Sequence, residues 1–327
     1  MHICIAGAGA IGGALAARLA DAGEDVCVLA RGATLAALRR DGLRLRDLAG
    51  SFNVRAPASD TADFGPQDVL FLCAKTHSLA ALLQQAAPLI GPHTIVVPTV
   101  NGIPWWYFHG EGGPHAGKPI EAVDPRGELL AKTPLPQLIG CVVYMTAEST
   151  APGVVMSNSL HKLVLGEPGG PAGARMHALC DMLNAAGIQA LASDHIRDNI
   201  WTKVAANLSS NPLSVAAGGA TLGQIYGRPP LRDVAESIVR ETVAVAETYG
   251  ARLTESPTAL LDRSATLGDF RTSMLQDFDA GRPLELAAIG DAVLELADRY
   301  DIAMPTTRAI LSLARFRSDR RAEQRDG

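Results

Sequence analysis

The spacing of apolar residues changes along the chain, and this change predicts two domains. In the first part, short continuous apolar runs alternate with stretches of helical spacing, which is typical of buried parallel strands joined by helices. The predicted strands cover residues 3–6, 25–30, 68–74, 94–100, 138–147, 162–166 and 188–192. The predicted helices cover residues 14–20, 78–90 and 174–186, and residues 35–48 combine a short helix with a strand.

Helical spacing dominates after residue 194. The predicted helices cover residues 196–217, 222–227, 230–249, 257–261, 273–280 and 283–300, and a last helix follows Met304-Pro305. We therefore expect an α/β domain over residues 1–192, followed by an all-α domain over residues 193–327 that carries substrate or dimer contacts.

A glycine-rich segment lies between the first predicted strand and the first predicted helix. Its spacing is G-x-G-x-x-G, which permits a tight turn, a close approach of the backbone to a diphosphate and close helix packing. The helix N-terminus adds free N–H groups and a positive dipole end. This context favours a Rossmann-type dinucleotide site over an ordinary glycine-rich turn. The cofactor-binding residues predicted here are Gly7, Ala8, Gly9, Ala10, Ile11 and Gly12.

The end of the second predicted strand indicates the type of dinucleotide. An NAD site usually has Asp or Glu at this position, where the carboxylate accepts the ribose 2′-hydroxyl. This chain has Ala30, Arg31 and Gly32, and an arginine can hold a 2′-phosphate through paired charge-assisted hydrogen bonds. Arg31 therefore favours NADP(H); an ordinary solvated arginine is the alternative.

Two polar residues follow predicted strands of the sheet. Lys75 comes after the strand at residues 68–74, and Asn101 comes after the strand at residues 94–100. Ligands bind at the carboxyl ends of strands in open α/β sheets. The amide of Asn101 both donates and accepts hydrogen bonds, which suits a nicotinamide carboxamide or a ribose. A surface lysine and an Asn-Gly turn are the alternative interpretations.

Composition and charge argue against several other classes of protein. The chain is 47% apolar with a formal net charge of −5, and its one basic stretch, residues 315–325, is interpreted as a solvated helix end. Nucleic acid is therefore not an expected partner. The five cysteines lack C-x-x-C spacing, which indicates reduced core residues of a cytoplasmic protein. The sequence suggests neither a metal site nor a signal peptide nor a membrane span.

One predicted helix of the second domain carries a row of polar residues. Lys203, Asn207 and Asn211 recur at every fourth position, so they project from one face among apolar neighbours. Polar groups in such surroundings are costly unless they find partners or line a polar cleft. A solvent-facing polar stripe is the alternative. Pro212 is expected to kink or end the helix directly after this row.

Glu285 lies near the start of the helix predicted over residues 283–300. Pro283 fits the first helical position, and the carboxylate of Glu285 fits the positive end of the helix dipole. This placement explains Glu285 structurally and leaves open a second role as the partner of Lys203.

Several segments together resemble the ketopantoate reductase family, also called the 2-dehydropantoate 2-reductases. The segments are IAGAGAIGG, AKTH, NGIP, WTKVAANLSSNP and SMLQDFDAGRPLEL. The resemblance spans nearly the whole chain, and its helical segments are more specific than the glycine motif. It implies NADPH-dependent reduction of a 2-keto acid to a 2-hydroxy acid. The implied substrate is 2-dehydropantoate, reduced to pantoate in pantothenate biosynthesis, or a related 2-keto acid.

The resemblance also implies roles for individual residues. The lysine matching Lys203 donates a proton to the developing alkoxide, and the residue matching Glu285 lies in the active site, so both are predicted to be catalytic. The predicted substrate-binding residues are Asn101, Asn207, Asn211 and Ser273. The predicted cofactor contacts outside the glycine motif are Arg31, Lys75, Asn101 and Glu285. The expected partner is a small-molecule 2-keto acid, and a homodimer is left open.

Three features depart from the family pattern. Ala287 stands where members often have Asp, and Val100 stands where we expect Gln. An aromatic run at residues 105–108 (WWYF) and the segment at residues 110–132 lie near the expected substrate site. These departures leave the reductase chemistry intact and the identity of the 2-keto acid open. The alternatives are a dehydrogenase acting on another 2-hydroxy or amino acid, and a non-catalytic NADP-binding sensor.

Overall fold

The computed structural model describes the backbone of residues 1–326 and the side chains of residues 1–324. The described chain divides into two compact units. The first contains Met1–Val100, Trp106–Pro119 and Gly127–Ile196. The second contains Asn101–Trp105, Ile120–Arg126 and the chain from Arg197 onward. Two short segments from within the α/β part of the sequence thus pack with the helical unit.

The first unit contains all the strands of the described chain. They are β1 (His2–Ala6), β2 (Asp25–Leu29), β3 (Leu43–Asp47), β4 (Gly50–Val54), β5 (Ala58–Ser59), β6 (Gln67–Leu72), β7 (Ile90–Pro98), β8 (Gly140–Tyr144), β9 (Ala147–Ala151), β10 (Val154–Ser157), β11 (Lys162–Gly166) and β12 (Gln189–Ala192). Its helices are α1 (Ala10–Asp21), α2 (Gly32–Asp41), α3 (Leu79–Ala86), α4 (Glu128–Lys132) and α5 (Ala174–Ala185).

A parallel sheet with the strand order β5-β2-β1-β6-β7 forms the centre of this unit. β1 pairs in register with both neighbours, so that Ile3 lies between Val26 and Val69. Ile3 and Ile5 are completely buried, because helices and further strands cover both faces of the sheet. The carboxyl ends of β1 and β6 therefore lie side by side, and the glycine motif follows β1 at this edge.

Two smaller sheets complete the first unit. Their strand orders are β4-β3-β10-β9 and β12-β11-β8. Leu43, Leu45 and Val155 of the four-stranded sheet belong to the same apolar core as α1. The apolar pattern did not predict β4 or β10, because β4 (GSFNV) carries few apolar residues and every side chain of it is at least partly exposed.

The predicted boundary between a helix at 78–90 and a strand at 94–100 is wrong. α3 ends at Ala86, and β7 runs from Ile90 to Pro98. Pro88 lies in a short 3-10 turn that ends the helix. The hydroxyl of Thr94 accepts a hydrogen bond from the N–H of Gly91 and donates one to the carbonyl of Gln67, which holds the Gly-Pro segment alongside β6. Asn101 consequently lies beyond the end of the strand rather than at it.

The second unit is helical. Its helices are α6 (Ile196–Ala216), α7 (Leu222–Tyr226), α8 (Pro229–Thr248), α9 (Pro257–Ala265), α10 (Ser273–Asp279), α11 (Ala292–Asp298) and α12 (Pro305–Asp326), and a π-helical turn covers Ala287–Asp291. Leu213, Ile225, Val239 and Leu260 form part of its core. The basic stretch at residues 315–325 lies on α12; the side chain of Arg325 is outside the described residues.

Two prolines bear on the predicted helix ends. Of the two effects predicted for Pro212, the end of the helix is wrong, because α6 continues to Ala216. The proline removes one backbone hydrogen bond, to the carbonyl of Leu208, and the buried side chains on both sides of it keep the helix in place. Pro283 does not begin a helix, because helical backbone starts only at Leu286. Glu285 therefore precedes the helix, and its carbonyl accepts the N–H of Ile289.

Within the described chain, no helix is long and apolar enough to cross a membrane. The described His, Cys, Asp and Glu residues form no group that could hold a metal ion.

Candidate active site

The glycine motif packs against the end of β6. Gly7 has φ +102°, and a Cβ atom on it would lie 2.3 Å from the carbonyl oxygen of Cys73. A Cβ atom on Gly12 would lie 2.0 Å from the carbonyl oxygen of Gly7. A side chain at either position would clash with the backbone, so this tight turn from β1 into α1 requires glycine.

Gly9 differs from these two glycines because it faces open space. A Cβ atom on Gly9 would meet nothing within 4 Å among the described atoms. Gly9 is also the N-cap residue of α1, and in the described structure α1 has neither a side-chain cap nor an acidic residue in its first turn. The N–H groups at this end of α1 therefore lie at an accessible surface with no acidic residue in the first turn of the helix, which fits a bound diphosphate.

Thr76 supplies a second polar group at the same edge of the sheet. It lies four residues beyond the end of β6. Its Oγ1 atom is buried and has no hydrogen-bond partner among the described residues. A buried hydroxyl without a partner is unusual and costs free energy. A ligand bound at the carboxyl ends of β1 and β6 would supply that partner, so the residues present fit a dinucleotide.

Arg31 and Lys75 also lie at this edge of the sheet. Arg31 is exposed and is the N-cap residue of α2, whose first turn contains no acidic residue in the described structure. Lys75 is half-buried, and its carbonyl accepts the N–H of Ser78 in the 3-10 turn after β6. The exposed guanidinium of Arg31 is accessible to a 2′-phosphate.

In the second unit, α6 contains the whole predicted polar row. Lys203 and Asn207 are half-buried, and Asn211 is 4% exposed. The hydroxyl of Ser210 donates to the carbonyl of Ala206 over 2.6 Å and lies 3.3 Å from Oδ1 of Asn211. The row is therefore not a solvated stripe, since Lys203 and Asn207 are half-buried and Asn211 is buried.

The pKa of Lys203 is well below the ordinary value for a lysine. Burial, and to a smaller extent the positive charge of Arg263, together lower the pKa of its ammonium group from 10.5 to about 8. Arg263 on α9 is held by Glu255, whose carboxylate oxygens accept hydrogen bonds from Nε at 3.1 Å and Nη2 at 2.5 Å. A lysine whose pKa lies this close to neutrality can donate a proton readily at physiological pH.

Asn101 is tied to the segment that carries Glu285. The N–H of Ile103 donates to the carbonyl of Ala288 over 2.9 Å. Gly102 packs against the same carbonyl, so the Asn101 turn is anchored in the helical unit. Glu285 is half-buried and directly precedes the helical backbone that contains Ala288.

Ser273 is exposed at the first position of α10. The preceding residue, Thr272, caps this helix by accepting the N–H of Leu275 over 3.1 Å. The local structure thus determines where the Ser273 hydroxyl lies on the surface of the second unit.

The aromatic run is part of the packed interior. Trp105, Trp106, Tyr107 and Phe108 are each at most 5% exposed. A Cβ atom on Gly140 would lie 2.5 Å from the ring of Trp106, so the indole fills a space that requires glycine opposite it. With these four side chains buried, the run forms a packed loop.

Comparison with known proteins identifies the family. The sequence pattern described as ketopantoate reductase PanE/ApbA matches residues 3–170, and the pattern of its C-terminal domain matches residues 195–318. The chain belongs to the ketopantoate reductase family. A 2-dehydropantoate 2-reductase of Mesorhizobium japonicum is 42% identical over 317 residues, covering 96% of this chain and 97% of that protein.

Two solved structures share this fold. A crystal structure from Ralstonia solanacearum, assigned as a ketopantoate reductase, has a TM-score of 0.92 at 38% identity and covers 98% of both chains. A ternary structure of D-mandelate dehydrogenase with NADH and anilino(oxo)acetate has a TM-score of 0.83 at 22% identity, covering 98% of this chain and 100% of that one. The second likeness shows the fold alone.

These comparisons confirm the predicted family and the predicted fold class, a Rossmann-type α/β domain followed by a helical domain. Membership of the ketopantoate reductase family also confirms the predicted enzyme class, an NADP-dependent oxidoreductase.

The predicted site residues divide between the two units. The glycine motif, Arg31 and Lys75 lie in the first unit. Asn101 and the predicted catalytic and substrate-binding residues on α6, α10 and before α11 lie in the second. Sequence reasoning did not identify Thr76 or Arg263, since a buried hydroxyl without a partner and a charge brought near by α9 are visible only in three dimensions.

Proposed function

We propose that this protein catalyses the NADPH-dependent reduction of a 2-keto acid to a 2-hydroxy acid, with 2-dehydropantoate as the first candidate substrate. The observation that carries this proposal is the row of Lys203, Asn207 and Asn211 on α6, in which burial and Arg263 lower the pKa of the lysine to about 8. A protein that only bound a dinucleotide would not require a proton donor with this acidity.

The residues of the first unit would hold the cofactor. The backbone of Gly7 to Gly12 and the N-terminus of α1 would bind the diphosphate, and Arg31 would bind the 2′-phosphate. Lys75 and Thr76 would contact the part of the cofactor that lies beyond β6. NADPH, when bound, supplies the hydride that adds to the C2 ketone.

The residues of the second unit would bind and protonate the keto acid. The amides of Asn101, Asn207 and Asn211 and the hydroxyl of Ser273 can donate hydrogen bonds to a carboxylate or to hydroxyl groups. As hydride adds to C2, the ketone oxygen gains negative charge, and the Nζ atom of Lys203 would donate a proton to it. The product is an alcohol, and the neutral lysine regains its proton from solvent.

Glu285 is proposed to orient Lys203 and to contact the cofactor. Because it precedes its helix instead of lying within the first turn, its side chain is not constrained by helical geometry. The pairing of Glu285 with Lys203 remains a prediction, as do a homodimer and a cytoplasmic location.

The proposal is tested by the oxidation of NADPH in the presence of a panel of 2-keto acids. The panel contains 2-dehydropantoate, straight-chain and branched 2-keto acids, and aromatic ones, with NADPH consumption followed by absorbance. We expect turnover on at least one branched or hydroxylated 2-keto acid. A protein that binds NADPH tightly but turns over no member of the panel in either direction would contradict the proposal and favour the sensor alternative.

A further inference from the structure

A buried hydrogen bond connects α6 to the start of α10. The hydroxyl of Thr272 donates to Oγ of Ser214 over 3.3 Å. Ser214 is completely buried and Thr272 is 3% exposed. Neither residue belongs to the polar row of α6 or to the predicted substrate contacts, but Thr272 directly precedes Ser273 and Ser214 follows Asn211 by three positions.

The Thr272 hydroxyl makes two hydrogen bonds at once. Its oxygen accepts the N–H of Leu275, which caps α10, while its proton goes to Ser214. The carbonyl of Thr272 also accepts the N–H of Gln276. A helix as short as α10 (Ser273–Asp279) has little stability of its own, so its position depends on such anchors. The anchor at Thr272 is the one next to Ser273.

Ser214 links this anchor to the proposed substrate residues of α6. It follows Asn211 by three positions, and side chains at this spacing are neighbours on a helix surface. The carbonyl of Ser214 accepts the N–H groups of Gly219 and Ala220, so its own position is held by the end of α6. A shift of the Ser214–Thr272 bond would therefore move Ser273 relative to Asn211.

We propose that the Ser214–Thr272 hydrogen bond positions the Ser273 hydroxyl relative to Asn211, so that both residues contact the same keto acid. Ser214 and Thr272 are then positioning residues, which set substrate affinity without touching the substrate. This inference rests on the proposed function, because it concerns how the proposed substrate residues are held.

The experiment is a double-mutant cycle with the best 2-keto acid of the panel. Ser214→Ala removes the connecting bond and leaves the cap of α10 intact. We expect it to raise KM for the keto acid roughly three- to tenfold while leaving the Kd for NADPH unchanged. Thr272→Ser, which keeps both hydrogen bonds, should retain a KM near that of the wild type. In a Ser273→Ala background, Ser214→Ala should have little further effect on KM.

A control separates positioning from general loosening. Thr242 is also completely buried in the second unit, and its hydroxyl bonds to the carbonyl of Ile238 in its own helix. Thr242→Val should lower the melting temperature without changing KM. Equal increases of KM from Ser214→Ala with and without the Ser273 hydroxyl would overturn the inference. If Ser273→Ala raises KM and Ser214→Ala does not, the positioning role of Ser214 and Thr272 is wrong, but the proposed substrate contact of Ser273 stands. If Ser273→Ala leaves KM unchanged, both the positioning role and the proposed substrate contact are wrong.

Discussion

The main-chain N–H of Ile103 donates a hydrogen bond to the carbonyl oxygen of Ala288 over 2.9 Å. This bond joins the turn that carries Asn101 to the π-helical turn that follows Glu285. π-Helical turns frequently mark functional sites. Asn101 therefore lies with the helical unit, although it follows the last strand of the parallel sheet in sequence.

Gly102 is required for this connection. Its φ is +81°, and a Cβ atom would lie 2.2 Å from the carbonyl oxygen of Ala288. We expect Gly102→Ala to lower the free energy of unfolding by more than about 1 kcal/mol and to lower kcat/KM, because the alanine strains the turn and displaces Asn101. Urea unfolding and steady-state kinetics measure the two effects.

The matched control is Gly250→Ala in the same unit. Gly250 has φ +75°, and a Cβ atom there would meet nothing within 4 Å in the described structure. Gly250→Ala therefore measures the free-energy cost of an alanine at positive φ without a steric clash. Equal losses of stability in the two variants, with kcat/KM unchanged in Gly102→Ala, would show that the contact with Ala288 has no role in the site.

The sequence predicted elements well where local pattern and packing agree. β11 was predicted with its observed bounds, because the run KLVLG is apolar and bounded by polar residues on one side and a loop on the other. β4 was missed because its composition does not indicate a strand, and β10 (VVMS) was missed because its apolar run is very short. Both are stabilised by pairing with β3. The helix end predicted as one effect of Pro212 was wrong, because tertiary packing lets α6 continue to Ala216.

The candidate site was predictable where it rests on helical periodicity or on a motif. The row of Lys203, Asn207 and Asn211 follows from their spacing, and all three lie on α6. The anchoring of Asn101 to Ala288 was not predictable, since it joins residues far apart in sequence. Nor was the effect of Arg263 on the pKa of Lys203, which depends on the packing of α9 near α6.

Arg31 should determine the choice between NADPH and NADH. We expect Arg31→Ala to raise the KM for NADPH roughly tenfold or more and to leave the KM for NADH nearly unchanged, because only NADPH carries the 2′-phosphate. Arg40→Ala removes the same charge from the same helix, where Arg40 pairs with Asp41 at the exposed surface, and should change neither value. Equal use of both cofactors by the wild type would contradict this assignment.

Thr76 should affect stability and cofactor affinity in opposite directions. In Thr76→Val the hydroxyl without a partner is replaced by a methyl group, so the unfolding free energy without NADPH should stay constant or rise. The Kd for NADPH, measured by fluorescence titration, should increase about two- to tenfold. In the control Thr99→Val, the lost hydroxyl donates to the carbonyl of Leu72, so stability should fall by about 1 kcal/mol. Unchanged NADPH affinity in Thr76→Val would remove Thr76 from the cofactor site.

The pH dependence of reduction should follow the pKa of Lys203. The ammonium form donates the proton, so kcat/KM should be level below about pH 8 and fall above it. Arg263→Met removes a positive charge that lowers this pKa, so the fall should move to higher pH. Arg240→Met, which removes an arginine that faces Glu236 on α8, should leave the profile in place. A profile that is identical in wild type and Arg263→Met would contradict the proposed coupling.

The same shift determines how Lys203 affects stability. Its pKa is about 8 in the folded protein, against an ordinary value of 10.5. Between these values the unfolded chain binds more protons, so the contribution of Lys203 makes the free energy of unfolding rise with pH across this window. Lys203→Ala should remove this rise, which urea unfolding between pH 7 and about 11 can detect.

Lys203 should be necessary for turnover and dispensable for cofactor binding. It lies on α6 of the second unit, whereas the glycine motif and Arg31 lie in the first. Removing a positioned proton donor typically costs about 10²–10⁴ in rate, so Lys203→Ala should lose kcat by roughly that factor while the Kd for NADPH stays constant. Lys203→Arg should recover little activity, because guanidinium keeps its proton and differs in shape from an ammonium group.

Two measurements on Lys203→Ala distinguish the outcomes: NADPH affinity by fluorescence titration, and turnover on the best 2-keto acid. Lys132→Ala, at the exposed end of α4, controls for the loss of a lysine charge and should match the wild type in both. Loss of both binding and turnover in Lys203→Ala would make Lys203 a structural residue. Full turnover would mean that another group donates the proton, and the proposal that α6 provides the catalytic face would then fail, because its polar row would have no acid to position.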